Sequence, residues 1–138
     1  MLISEGLTSE LLLIDIEKTD YHYHGYHEKG SGYASLSSTK KFLLDNLDHK
    51  IEIHTCNPTK QKIPNFEFTF LISLLSMGFH YPCNEYIPYI MSHSVEGSWI
   101  VLDKRRGSTD GGFSSIESEF KTVNSIPHVK SDRYIFER

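Results

Sequence analysis

Pro88-Tyr-Ile-Met-Ser-His-Ser-Val-Glu-Gly-Ser-Trp-Ile-Val-Leu-Asp103 holds two runs of branched and aromatic side chains, Pro88 to Ser92 and Ser98 to Asp103, on either side of Ser94-Val-Glu-Gly97. Strand-forming residues flanking a glycine-containing turn predict a β-hairpin. A hairpin here makes neighbouring strands antiparallel and sets the expectation for the sheet.

Toward the C-terminus, Lys104 to Gly112 is a glycine-rich polar loop. Ser114 followed by Glu117 has capping-box spacing and predicts a helix through about Val123, which Pro127 cannot prolong. Arg133 to Glu137 alternates Tyr134 and Phe136 with charges and predicts a final strand. Toward the N-terminus, Phe66, Phe70, Leu71, Leu74 and Leu75 follow Pro64-Asn65 at helical spacing, and Gly78 stands where a left-handed residue would stop a helix. Phe66, Phe68 and Phe70 also fit a period of two, but run length and the terminal glycine favour a helix.

Lys50 to Cys56 is the cleanest strand, with Ile51, Ile53 and Thr55 facing one way and Glu52, His54 and Cys56 the other, and Asn57-Pro58 ends it. Ser37, Ser38 and Thr39 start a short helix with Phe42, Leu43 and Leu47 on one side. Lys29-Gly-Ser-Gly reads as a turn, with Tyr33 to Leu36 returning as a short strand. Leu11 to Glu17 reads as a strand, a helix from Thr8 being the rival. The expected order is ββ-α-β-α-ββ-α-β. It gives an α+β fold in one domain spanning residues 1–138, with an antiparallel or mixed sheet of about five to seven strands and about three helices mainly on one face.

Composition agrees with a packed core: 138 residues are 38% hydrophobic and 23% charged, with eight Tyr and eight Phe. The apolar stretch Phe68 to Phe79 is broken by Ser73, Ser76 and Gly78 and is too short to span a bilayer, so no membrane association is expected. No leader is readable at Met-Leu-Ile-Ser-Glu-Gly, which predicts a cytoplasmic protein with Cys56 and Cys83 as free thiols.

The net charge of −4 argues against nucleic acid as a direct ligand. Its distribution is uneven. Glu5, Glu10, Asp15, Glu17, Asp20 and Glu28 face only Lys18 and Lys29 in the first thirty residues, whereas no Lys or Arg lies between Lys62 and Lys104.

Tyr21-His-Tyr-His-Gly-Tyr-His-Glu28 is the most unusual string. As a strand it sets Tyr21 and Tyr23 on one face and His22 and His24 on the other, the two imidazoles about 6–7 Å apart along the chain. That spacing suits a zinc ion, with His27 or Glu28 folding back as a third ligand. The string resembles part of the HxHxDH element of metallo-β-lactamase-like hydrolases, with Tyr26 in the Asp position. It also resembles part of the first cupin motif, with Glu28 in its acidic place. Neither resemblance exceeds seven residues, and the chain is too short for the first of these folds.

His54, His93 and the Lys104-Arg105-Arg106 group could supply a metal-free acid–base site. The glycines after Lys104 could also help cradle an anion, although no GK[ST] follows them.

The leading functional expectation is a small partner-binding protein of the toxin-immunity or inhibitor type. Glu17, Asp20, Tyr21, Tyr23, Tyr26, Glu28 and Tyr33 would form an acidic, aromatic face against a basic protein, without a cofactor. The alternative is a small histidine-dependent hydrolase or nuclease using His22, His24 and His27, with zinc as its metal.

Overall fold

The computed structural model of the chain describes residues 10–17, 35–47, 50–79, 83–107 and 112–138. The fold is α+β; the described residues form three helices and six strands, in a two-stranded and a four-stranded sheet. Two compact units make up the chain, Met1–Asn65 and Phe66–Arg138.

In the first unit, β1 (Glu10–Ile14) leads through α1 (Leu36–Asn46) to β2 (Glu52–Cys56). The strands pair in parallel, Glu10 beside Glu52 through to Ile14 beside Cys56. A parallel pair requires a crossover connection, and α1 lies within it. Ile53 and Cys56, three residues apart and so on opposite faces of β2, are both buried, as a strand covered on both sides requires. Ser35 caps α1, its Oγ accepting from Ser38 N at 3.1 Å. Leu36 is therefore the first helical residue and not the end of a returning strand.

The second unit contains β3 (Phe68–Ser73), a 3-10 turn (Cys83–Glu85), α2 (Ile87–His93), β4 (Ser94–Arg105), α3 (Phe113–Glu119), β5 (Lys121–Pro127) and β6 (Ser131–Glu137). The sheet order is β3-β4-β6-β5. β3 runs parallel to β4, and β6 is antiparallel to both β4 and β5, so the sheet is mixed.

The expected hairpin at residues 88–103 does not form. Pro88 lies in the first turn of α2, where its missing N–H is not needed and its fixed φ already suits a helix. α2 then passes directly into the twelve-residue β4, and Gly97 takes its φ of 78° inside that strand. The expected helix at residues 66–75 is also replaced, by β3. There the period of two wins, because Phe70, Leu71, Ile72 and Ser73 pair with Trp99 to Leu102, and Ser98 Oγ donates to Phe68 O at 2.8 Å. α3 ends at Glu119, short of Val123, because Phe120 turns extended and the following residues pair with β6. Its cap is the left-handed Gly112, with no side-chain hydrogen bond.

Register assigns the faces of this sheet. Leu71, Ile100, Leu102, Tyr134 and Phe136 line one face and join Ile90 of α2 and Phe113 and Ile116 of α3 in the core. Ile90, Ile100, Leu102, Ile116 and Phe136 are completely buried, each contributing about 1.5–3 kcal/mol. Both helices thus serve one face. The other face carries Phe70, Ile72 and Trp99, which remain exposed. Arg138 closes the unit, its guanidinium donating to the carbonyls of Met91 and Ser94 at the end of α2.

Candidate functional site

Each unit contains a β-α-β crossover with parallel strands, and ligands of such folds bind beyond the carboxyl ends of the strands. In the first unit those ends carry Asp15, Glu17 and Asn57. Asp15 follows β1 directly; its N–H donates to Cys56 O at 3.1 Å, which continues the ladder, and its carboxylate lies in an exposed position. Glu17 has a φ of 57°, a left-handed conformation that costs a residue with a Cβ about 1–2 kcal/mol.

Three partners hold Glu17 there. Its Oε1 accepts from Leu36 N, at the start of α1, at 2.7 Å. Asn57 Nδ2 donates to Glu17 Oε2 at 3.4 Å and to Ile16 O at 2.6 Å. Lys60 Nζ stands 3.7 Å from Oε2. Asn57 is itself fixed by a turn in which its Oδ1 accepts from Thr59 N and Oγ1 at 3.0 and 2.7 Å. One carboxylate therefore links the end of β1, the start of α1 and the residue after β2.

The Leu36 N–H, the Asn57 amide and the Lys60 ammonium hold the Glu17 carboxyl below its ordinary value, against a smaller opposing effect of burial. A lowered folded pKa makes the ionised form stabilising above the unfolded value, and that contribution fades as pH falls through the folded value. Glu17→Gln should therefore lose stability near neutrality. It should also show a flatter decline than the parent on the acid side, as measured by thermal denaturation at stepped pH. Parallel acid-side profiles for the two proteins would refute this linkage.

In the second unit, the turn after Ser73, at the carboxyl end of β3, is hydrogen-bonded to the carboxyl end of β4. Asp103, completely buried, accepts from Arg133 through both oxygens, at 2.8 and 3.1 Å, and its Oδ2 also accepts from Leu75 N at 3.1 Å. Leu75 is left-handed, with φ 54°. Met77 N donates to Ser73 Oγ at 2.9 Å, and Arg105 N donates to Gly78 O at 3.1 Å.

Of the residues expected to meet a partner, Glu17 is described, with its oxygens engaged within its own unit. Asp20, Tyr21, Tyr23, Tyr26, Glu28 and Tyr33, and the expected metal ligands His22, His24 and His27, lie outside the described residues. Among the described residues no group of three or more His, Cys, Asp or Glu could hold a metal ion. His54 Nε2 lies 3.4 Å from Glu52 Oε1. His93 stacks on Tyr89 at 4.1 Å, with Nδ1 2.7 Å from Ser92 Oγ.

The Lys104-Arg105-Arg106 cations turn to their own unit. Lys104 lies over Phe113, Arg105 over Phe79, and Arg106 pairs with Asp132 at 2.6 Å. Cys56 and Cys83 are both free and buried. No helix among the described residues is long and apolar enough to cross a membrane. Sequence reasoning missed Asp15, Asn57, Leu75 and Asp103 as site residues; the available signal was that two of the four, Asp15 and Asn57, directly follow a strand.

No protein-family model and no curated protein sequence matches the chain. Among solved structures, the fold is similar to that of a proposed methyltransferase from Pseudomonas syringae. The TM-score is 0.52 at 12% identity, over 75% of this chain and 69% of that one.

Proposed function

We propose that the chain is a methyltransferase-type protein that binds S-adenosylmethionine at the carboxyl ends of β1 and β2. The observation that carries this reading is Glu17 seated on the first N–H of α1. In dinucleotide-binding β-α-β units that helix start receives a pyrophosphate. A carboxylate in its place disfavours a phosphate-bearing ligand and suits a donor with a cationic sulfonium and ribose hydroxyls. The likeness to the Pseudomonas syringae protein supports the same reading.

Asp15 would accept from the ribose hydroxyls, while Glu17 and Asn57 keep the strand ends in place. The donor, when bound, supplies an electrophilic methyl group.

Titration calorimetry of the full chain with S-adenosylmethionine tests this. Binding is expected with Kd on the order of 1–100 μM, and NADH should bind at least tenfold more weakly. Asp15→Ala should weaken donor binding by about 10–100-fold with an unchanged melting temperature. Absence of donor binding at about 1 mM, or equal affinity for NADH, would overturn the reading. Apart from Glu17, the residues on which the inhibitor and histidine-hydrolase readings rest lie outside the described ones. A stoichiometric basic protein captured from cells would then favour the former, and activity lost in a His22→Ala, His24→Ala double variant the latter.

A further inference from the structure

We infer that the outer edge of β5 receives a short extended segment of a partner protein, running antiparallel to it, β-branched in its middle and acidic at its N-terminal end. The surface lies within the second unit, and the inference does not rest on the methyl-transfer reading. β5 ends the sheet order β3-β4-β6-β5, and among the described strands it pairs with β6 alone. Alternate residues of an edge strand direct their N–H and C=O groups away from the sheet, where a further strand pairs with them. All seven residues of β5 are exposed, whereas β4 and β6 each bury several positions. Val123 and Ile126 are 44% and 41% exposed, and β-branched side chains of this kind form favourable cross-strand pairs.

Charge selects the occupant. From Phe120 to Ser131 the chain holds Lys121, His128 and Lys130 and no carboxylate. At the start of β5 the charges balance, since Lys121 stands opposite Glu137. Past its other end cations prevail: Arg105 stands opposite Ser131, and Arg106 N donates to Lys130 O at 3.0 Å. The carboxylate of β6 at that end, Asp132, is engaged by Arg106 at 2.6 Å. An acidic segment end complements this arrangement, and in an antiparallel partner that end is the N-terminal one. A second copy of β5 does not fit, because antiparallel pairing would set Lys121 of each copy against Pro127 and His128 of the other. Lys121, Pro127 and the register shift between Thr122 and Asn124 all oppose such pairing, and they confine the partner to a short segment. A nucleic-acid backbone would use the cations but leave the exposed Val123 and Ile126 without apolar contact.

The test titrates the full chain with a fluorescein-labelled peptide of alternating valine and threonine that begins with a run of glutamates. Anisotropy should give a Kd on the order of 10–100 μM. Lysines in place of the glutamates should weaken binding about tenfold, and Lys130→Glu in the protein about fivefold. With the glutamate peptide bound, the amides of alternate β5 residues should exchange about tenfold more slowly with solvent deuterium. No binding at about 1 mM, equal affinity for the lysine peptide, or unchanged β5 amide exchange would overturn the inference. So would tighter binding of a thymidine oligonucleotide of equal length, which would assign the surface to a polyanion. A dimer of the chain alone in sedimentation, with the β5 amides already slow, would assign the edge to a second copy and overturn it equally.

Discussion

Asp103→Ala is expected to destabilise the second unit by about 3–5 kcal/mol, which shifts the urea midpoint to much lower denaturant. Asp103 is completely buried, and Arg133 meets it with two hydrogen bonds. Removing the carboxylate leaves the guanidinium uncompensated and takes the acceptor from Leu75 N, whose left-handed turn then lacks its anchor. The partner variant Asp103→Leu with Arg133→Met should recover much of the loss, since replacing both members of a buried pair with apolar groups avoids the stranded charge. The Arg106–Asp132 pair is the contrast. Its side chains are 49% and 33% exposed, and Asp132→Ala should move the urea midpoint far less than Asp103→Ala, because solvent screens an exposed pair. Equal effects of Asp103→Ala and Asp132→Ala would show that burial of the first pair is not what gives it weight.

Gly78→Ala is expected to cost about 2–5 kcal/mol through two additive causes, left-handed strain and overpacking. At φ 85° an added Cβ would lie 2.7 Å from Phe113 Cε2 and 2.9 Å from Asp103 O, the second a backbone atom that cannot turn aside. Gly97 separates the causes. Its φ is 78° but nothing lies within 4 Å of its Cβ position, so Gly97→Ala should cost only the strain, about 1–2 kcal/mol. Urea titrations of the two variants read the difference directly; equal losses would remove steric crowding from the account of Gly78.

How legible each element was depended on whether local pattern and long-range pairing agreed. Lys50 to Cys56 and Arg133 to Glu137 alternate cleanly and have strand partners in phase with that alternation, so β2 and β6 stand where the sequence puts them. The serines before Lys40 place α1 within two residues, because capping is a local interaction. Gly78 is left-handed as its position predicts, but it follows a turn and not a helix. Phe66 to Leu75 satisfies two periodicities at once, and only pairing with Trp99 to Leu102 chooses between them. Pro88 is compatible with a strand start or a first helical turn. Burial of Ile90 within the core together with Phe113 and Ile116 accompanies the helical outcome.

The candidate site was less legible than the fold. Asp15 and Asn57 are ordinary polar residues in the sequence, separated by forty-odd positions, and gain meaning only when β1 and β2 pair in parallel and end side by side. The conspicuous Tyr–His string drew attention by composition, which carries no information about convergence.

The sequence by itself determined the α+β class, two strands almost to the residue, the two free thiols and the left-handed glycine. Each of these follows from composition or from interactions spanning a few residues. Tertiary structure alone decided that both crossovers are parallel, that Asp103 meets Arg133 and that Glu17 sits on the start of α1. Strand direction and buried pairing depend on contacts between residues far apart in the chain, whose free energy no local spacing records.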